Sequence, residues 1–118
     1  PEFAAEQPKA IKAFVRAVIA GLRLTVKAPE QAVDDVLAQM DNGSRAVELE
    51  RLRAVLNDNV LTSGVKHNGI GAIDPVRFET ALDQIAEDFK FRHRPTAADI
   101  FDDSFLPPAG DRKITQAE

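Results

Sequence analysis

Apolar residues recur at helical spacing along most of the chain, and no stretch shows the two-residue alternation of a half-buried strand. The periodic stretches predict four longer helices and a short one, over residues 8–28, 29–40, 44–57, 75–90 and 97–102. Pro8, Pro29 and Pro75 stand at three helix starts, where the N–H that proline lacks would be unpaired in any case. The sequence therefore predicts an all-α chain.

We expect the apolar faces of these helices to meet in one core. The residues expected there share helical spacing within their segments and are Phe14, Val18, Leu22, Leu52, Leu56, Phe78, Leu82, Ile85 and Phe89. Residues 1–108 are expected to form one ordered helical segment. Residues 109–118 are polar and are expected to form a flexible tail.

The first long helix carries a basic face opposite its apolar one. Its five cations lie within about 60° of each other at 100° per residue and are Lys9, Lys12, Arg16, Arg23 and Lys27. Such a face can bind an anionic membrane or nucleic acid. The net charge of −4 and the lack of interleaved aromatic residues favour a solvated helix face and no nucleic-acid partner.

Turn-forming residues dominate between Asn57 and Ile73, and this composition predicts a long ordered loop. Within it, the stretch from Leu61 to Ile73 is the best functional candidate. Its glycines allow a close backbone approach, and Lys66, His67 and Asn68 offer hydrogen-bond donors to an anionic ligand or a partner. We favour the alternative, in which the glycines only make turns, so the ligand-binding residues stay unknown.

No pattern of residues indicates a catalytic, metal or cofactor site. The chain has no cysteine, and its two histidines, His67 and His93, have no second histidine at helical spacing. The acidic series Glu79, Asp83 and Glu87 is typical of a helix face turned to water. The serines lack the context of a nucleophile; they are Ser44, Ser63 and Ser104. A basic cluster at the end of the fourth long helix could contact another protein; it is Lys90, Arg92, His93 and Arg94.

Three stretches, in this order and spacing, resemble a known family. Ala28-Pro29-Glu30-Gln31-Ala32 follows the first long helix, and Gly69-Ile70-Gly71-Ala72-Ile73-Asp74-Pro75 precedes Phe78, where many family members carry tryptophan. Asp99-Ile100-Phe101-Asp102-Asp103-Ser104-Phe105-Leu106-Pro107 is similar to the family's terminal Phe-Leu-Pro signature. The family is that of periplasmic solute-binding proteins for nitrate, sulfonates and taurine, which also resemble the fungal thiamine-pyrimidine synthesis protein.

The resemblance implies an all-α fragment, the carboxyl-terminal helical flank of one lobe of a type II periplasmic binding protein. The complete parent would be a two-lobed α/β protein that closes on a small molecule, such as a sulfonate, nitrate or a pyrimidine. It would present that molecule to an ABC permease in the periplasm, without catalysis. Two alternatives stay open: a thiamine-pyrimidine synthesis enzyme, which depends on a cysteine-rich motif, and a free-standing helical interaction module.

We also expect the chain to be a piece of a larger protein, because it begins Pro1-Glu2-Phe3 without methionine. The same tripeptide is encoded by a common cloning site, so these residues could be foreign. A helical flank without the sheet that it covers would expose apolar side chains on its first and fourth long helices. A homodimer of the chain would then cover them, through Ile11, Phe14, Phe78 and Phe89.

Overall fold

The computed structural model describes residues 1–114, and within them the chain is helical with no strand. Its α-helices are α1 (Glu2–Glu6), α2 (Pro8–Lys27), α3 (Pro29–Leu37), α4 (Arg45–Val55), α5 (Ser63–Asn68), α6 (Pro75–Asp88) and α7 (Ala97–Ile100). A π-helical turn covers Leu56–Val60, and a 3-10 turn covers Ala109–Arg112. The all-α prediction is therefore confirmed, whereas the identity of a parent fold is not addressed by these elements.

The chemistry at the helix starts agrees with the sequence. Pro8, Pro29 and Pro75 each occupy the first turn of a helix. Asp74 accepts hydrogen bonds from the backbone N–H groups of Val76 and Arg77 at 2.9 and 3.1 Å, which satisfies two donors at the start of α6. The carboxyl-terminal ends of the helices are predicted less well than the starts. Helix α3 ends at Leu37 and not at residue 40, and α6 ends at Asp88 and not at residue 90.

The prediction of a loop over residues 57–73 is wrong for most of its length. The end of α4 continues into the π-helical turn, in which the Leu61 N–H donates to the Leu56 carbonyl at 2.7 Å. After a bend, Thr62 caps α5 by accepting from the Val65 N–H. Leu56 is buried, so packing holds this turn in a helical form although Asn57, Asp58 and Asn59 have low helix propensity. Only residues 69–74 form an irregular turn.

Helices α2, α3 and α4 pack in sequence order, α3 on α2 and α4 on α3. The buried apolar side chains of this part are Ile19 on α2, Val33 on α3 and Leu56 at the start of the π-helical turn after α4. The α3–α4 hairpin is also joined at its surface, where the Arg45 guanidinium donates to both oxygens of Asp34 at 2.6 and 3.0 Å. This pair holds the pKa of the Asp34 carboxyl below its usual range, mainly through the hydrogen bond from Arg45.

The prediction of one common core is wrong. Of its nine residues only Leu56 and Leu82 are buried, and Leu22, Leu52 and Phe78 are half-buried. The other four are exposed: Phe14 is 70% exposed and Phe89 is 63% exposed, and Val18 and Ile85 are exposed to a smaller extent. The reason is that α6 packs chiefly on α7 and not across α2 or α4. The helical period identifies an apolar face but not the element that covers it.

The arrangement is open for a chain of this length. Its radius of gyration is 17.6 Å, compared with about 13.5 Å for a compact domain of this size. Among the residues that the structure describes, no helix combines the length and the apolar character needed to cross a membrane. The helices are therefore loosely packed and leave many large apolar side chains exposed.

Candidate functional site

Two segments far apart in the sequence meet on one side of α2, and we name them together the clasp: residues 68–73 and 105–112. The Ile70 N–H donates to the Arg112 carbonyl at 2.9 Å. In return the Arg112 guanidinium donates to the Ile70 carbonyl at 2.8 Å and to the Pro107 carbonyl at 2.9 Å. A longer contact of 3.5 Å reaches the Asn68 carbonyl. One arginine thus satisfies three backbone carbonyls that the surrounding turns leave without helical partners.

Glycine is required where these two segments touch. Gly69 has φ +83° and ψ 168°, a backbone region that is almost confined to glycine. A Cβ at this position would lie 3.1 Å from the Arg112 carbonyl oxygen. Gly71 has φ +80°, and a Cβ there would lie 2.9 Å from Leu106 Cδ2. The close approach that these glycines allow is therefore to the chain's own carboxyl-terminal segment.

The clasp is attached to the rest of the helices by buried and polar contacts. Pro107 is buried, and Phe105 and Leu106 are half-buried. From α2, Arg23 Nη1 donates to the Asp111 carbonyl at 3.2 Å. One cation of the basic face of α2 therefore has a structural role. Residues 109–112, predicted to belong to the tail, form the 3-10 turn of the clasp. Residues 115–118, also predicted to belong to the tail, lie outside the described residues.

The donors predicted at this turn do not converge on a cavity. Lys66, His67 and Asn68 are exposed at the end of α5. Nδ1 of His67 lies 2.8 Å from the Ser63 carbonyl, so that ring nitrogen is engaged within α5. The structure thus favours the interpretation that the glycines serve the turn and the contact with the tail. A ligand-binding role for the three side chains stays a prediction.

Two open grooves lie elsewhere, on either side of the α3–α4 hairpin. The larger, of about 390 Å³, is partly polar and is lined by Val26, Lys27, Pro29, Arg53, Leu56, Asn57 and Leu61. Of its two cations, Lys27 and Arg53, the second is paired with Glu30 at 3.0 Å. The other, of about 320 Å³, is mostly apolar and is lined by Thr25, Ala32, Val33, Val36, Glu48, Arg51, Leu52 and Val55. Its two charged residues, Glu48 and Arg51, pair with each other at 2.7 Å. The charged side chains of the apolar groove thus compensate each other, whereas the polar groove also presents Lys27 and Asn57, to which the structure gives no side-chain partner among the described residues.

Part of the acidic series on α6 forms a salt-bridge network with the basic cluster. Arg94 Nη2 donates to Glu79 Oε2 at 2.8 Å and to Asp83 Oδ1 at 2.7 Å, and Arg94 Nε donates to the same Asp83 oxygen at 3.0 Å. These carboxylates, Glu79 first, raise the pKa of the Arg94 guanidinium. The network fixes the segment after α6 on the helix, and it leaves Lys90, Arg92 and His93 exposed. Phe89 and Phe91 stack beside them with ring centroids 6.4 Å apart.

The remaining predicted residues lie apart from one another. His93 is in the segment after α6, His67 is on α5, and within residues 1–114 no three side chains of metal-ligating type come together. Ser44 stands at the start of α4 but its hydroxyl does not cap the helix. Ser104 donates its N–H to Asp102 at 2.9 Å. These positions are explained by local structure.

Comparisons with protein-family models, with curated protein sequences and with solved structures gave no match. The functional assignment therefore depends on the residues of the chain and on their arrangement. Of the three stretches that carry the family resemblance, the second overlaps the clasp at residues 69–73 and the third at residues 105–107, whereas Arg112 lies outside both. Sequence reasoning missed this contact, because Arg112 stands in a polar stretch with no local motif, 42 residues from Ile70.

Proposed function

We propose that the chain is the carboxyl-terminal helical segment of a periplasmic solute-binding protein that delivers a small molecule to an ABC importer. One observation carries most of the support. The glycine turn before Asp74-Pro75 and the Phe-Leu-Pro stretch, two signatures chosen from the sequence alone, contact each other through Gly71 and Leu106. Two chance matches have no reason to be neighbours in space, whereas two parts of one structural motif do.

The clasp suits a protein that works by domain closure. Such a protein needs lobes that move as rigid bodies about a hinge, and it needs no catalytic groups of its own. Arg112 joins the glycine turn to the tail, and Arg23 joins the tail to α2. The turn, the tail and the longest helix are therefore held as one unit. In this role the segment supports a lobe, and the residues that bind the ligand lie in other parts of the parent.

The exposed cations after α6 are the part of this segment best suited to a permease subunit. Lys90, Arg92 and His93 are exposed, and the Arg94 network holds their segment in place. A fixed loop loses less conformational entropy on binding than a mobile one. We therefore place the permease contact of the parent here, through acidic groups of the partner.

Cell fractionation tests the proposal with the complete reading frame that contains this chain. We expect the product in the periplasm, with its amino terminus shortened by removal of a signal peptide, as mass spectrometry of the mature protein would reveal. A cytoplasmic product with a cysteine cluster and an intact amino terminus would support the synthesis enzyme instead. A reading frame that encodes only these helices would leave the interaction module as the function.

A further inference from the structure

Helix α2 has a second apolar face that the chain does not cover. One side of the helix packs inward, with Ile19 buried and Ile11, Val15, Leu22 and Val26 half-buried. At 100° per residue another apolar face is centred about 120° away, on the side remote from the basic residues. Its large members are Phe14, 70% exposed, Leu24, 67% exposed, and Val18. A helix that is apolar over most of its circumference is typical of one packed on two sides.

The chain as a whole exposes more surface than a compact protein of its size, and the excess is more than a stable interface needs. The accessible surface of the chain is 9183 Å², whereas a compact protein of 12.9 kDa exposes about 6,300 Å². The excess is roughly 2,900 Å², and a standard interface takes only about 800 Å² from each partner. The apolar groove lined by Val33, Val36, Leu52 and Val55 adjoins this face, since it reaches α2 at Thr25, one turn beyond Gly21.

We propose that this face of α2, together with the adjoining groove, binds a second copy of the same chain in a two-fold symmetric dimer. The face of α2 carries no charged side chain, and the two charged residues of the groove, Glu48 and Arg51, pair with each other, so a strongly charged partner would gain nothing from this surface. The basic face of α2 cannot serve the same purpose, because a symmetric contact there would bring like charges together. The inference goes beyond the proposed function and concerns the chain by itself, without the sheet that the proposed parent would supply.

An antiparallel crossing of the two α2 helices fits the size of the side chains. With the two-fold axis midway between Phe14 and Leu24, Phe14 of one copy lies near Leu24 of the other copy. Ala17 then lies near Gly21 of the partner, where small side chains let the helices approach. A Cβ at Gly21 would meet no atom of its own chain within 4 Å, so this position is open to a neighbour. Large residues thus flank a close central contact.

Sedimentation equilibrium of the intact chain, from about 1 to 100 μM, tests the proposal. We expect a monomer–dimer equilibrium with a dissociation constant in this range. Leu24→Glu and, separately, Phe14→Glu should each weaken it at least about tenfold, because each places a charge in the interface. Val76→Glu is the matched control: Val76 is apolar and 74% exposed, but it lies on α6. This control should dimerise like the unaltered chain.

Far-ultraviolet circular dichroism of each variant shows whether its helices are intact. Both α2 positions are exposed, so at least one of the two variants is expected to keep the unaltered spectrum. An unaltered chain that stays monomeric at the highest concentration would overturn the proposal. So would a dimer that a folded α2 variant leaves unchanged, or one that Val76→Glu weakens to the same extent. Association with a different protein in place of the second copy would show up as a monomer here and would equally count against the proposal.

Discussion

Replacing Gly69 with alanine would put a methyl group at the point where the turn meets the tail. The backbone there has φ +83° and ψ 168°, and holding a residue other than glycine in a sparsely populated region costs about 1–3 kcal/mol. The new Cβ would also stand 3.1 Å from the Arg112 carbonyl oxygen, a backbone atom that cannot rotate away. That oxygen accepts a hydrogen bond from the Ile70 N–H. A shift of the oxygen away from the new Cβ would therefore lengthen this hydrogen bond.

The expected net loss in the free energy of unfolding is about 0.5–4 kcal/mol. A weakened Ile70–Arg112 hydrogen bond adds about 0.5–1.5 kcal/mol to the strain, while the smaller entropy of the unfolded alanine chain returns about 0.4–1 kcal/mol. Urea unfolding followed by circular dichroism measures the result. Gly64→Ala is the control, because Gly64 lies in α5 and its nearest neighbour would be Thr62 Oγ1 at an ordinary 3.8 Å.

The control should be neutral or stabilising, by up to about 1 kcal/mol, since alanine favours a helix over glycine. Equal effects of the two substitutions would refute the reasoning. They would mean that the glycine turn does not hold the tail in the way that the hydrogen bonds of Arg112 indicate.

Three further predictions concern other parts of the chain. Leu82→Ala should lower the free energy of unfolding by about 2–5 kcal/mol, because Leu82 is 5% exposed. Phe14→Ala should change this free energy by less than about 1 kcal/mol in the monomer. Similar losses for the two variants in denaturant titrations would contradict the burial pattern. Arg94→Gln should accelerate amide hydrogen exchange in residues 89–96. The free energy of global unfolding should change little, since exposed ion pairs contribute at most about 1 kcal/mol. Unchanged exchange would show that this arginine does not fix the segment. Arg45 lowers the pKa of Asp34 in the folded state, so the pair stabilises the chain above about pH 4. This stabilisation is lost as the pH falls through the lowered pKa. An NMR titration in which Asp34 has an ordinary midpoint would contradict this prediction.

Local chemistry made the helix starts predictable. Proline in the first turn, the Asp74 cap and the two hydrogen bonds that Thr96 donates to the Asp99 carboxylate depend on residues three positions apart or fewer. The Asp99 carboxylate accepts from the Thr96 N–H at 2.8 Å, and this bond is the main cause of its lowered pKa. Such features are contained in a few consecutive residues and need no knowledge of the fold.

The parts that were not predicted depend on packing between distant segments. The π-helical turn after α4 has residues that favour turns, and the burial of Leu56 decides its conformation instead. The clasp joins Ile70 to Arg112, and neither residue carries a motif that identifies the other. Likewise Phe14 stands in a clear apolar pattern, yet it is exposed, because the pattern does not specify which element covers it.

Calorimetric titration tests the functional proposal most directly. The product of the complete reading frame and the present chain would each be titrated with a panel of sulfonates, nitrate and pyrimidines. We predict that the complete protein binds one class of these with a dissociation constant of about 1 μM or below, equivalent to roughly −8 kcal/mol. In the proposed function the present chain supplies only part of one lobe of the cleft, so by itself it should give no heat of binding. Binding by the present chain alone, or turnover of the ligand by the complete protein, would contradict the account.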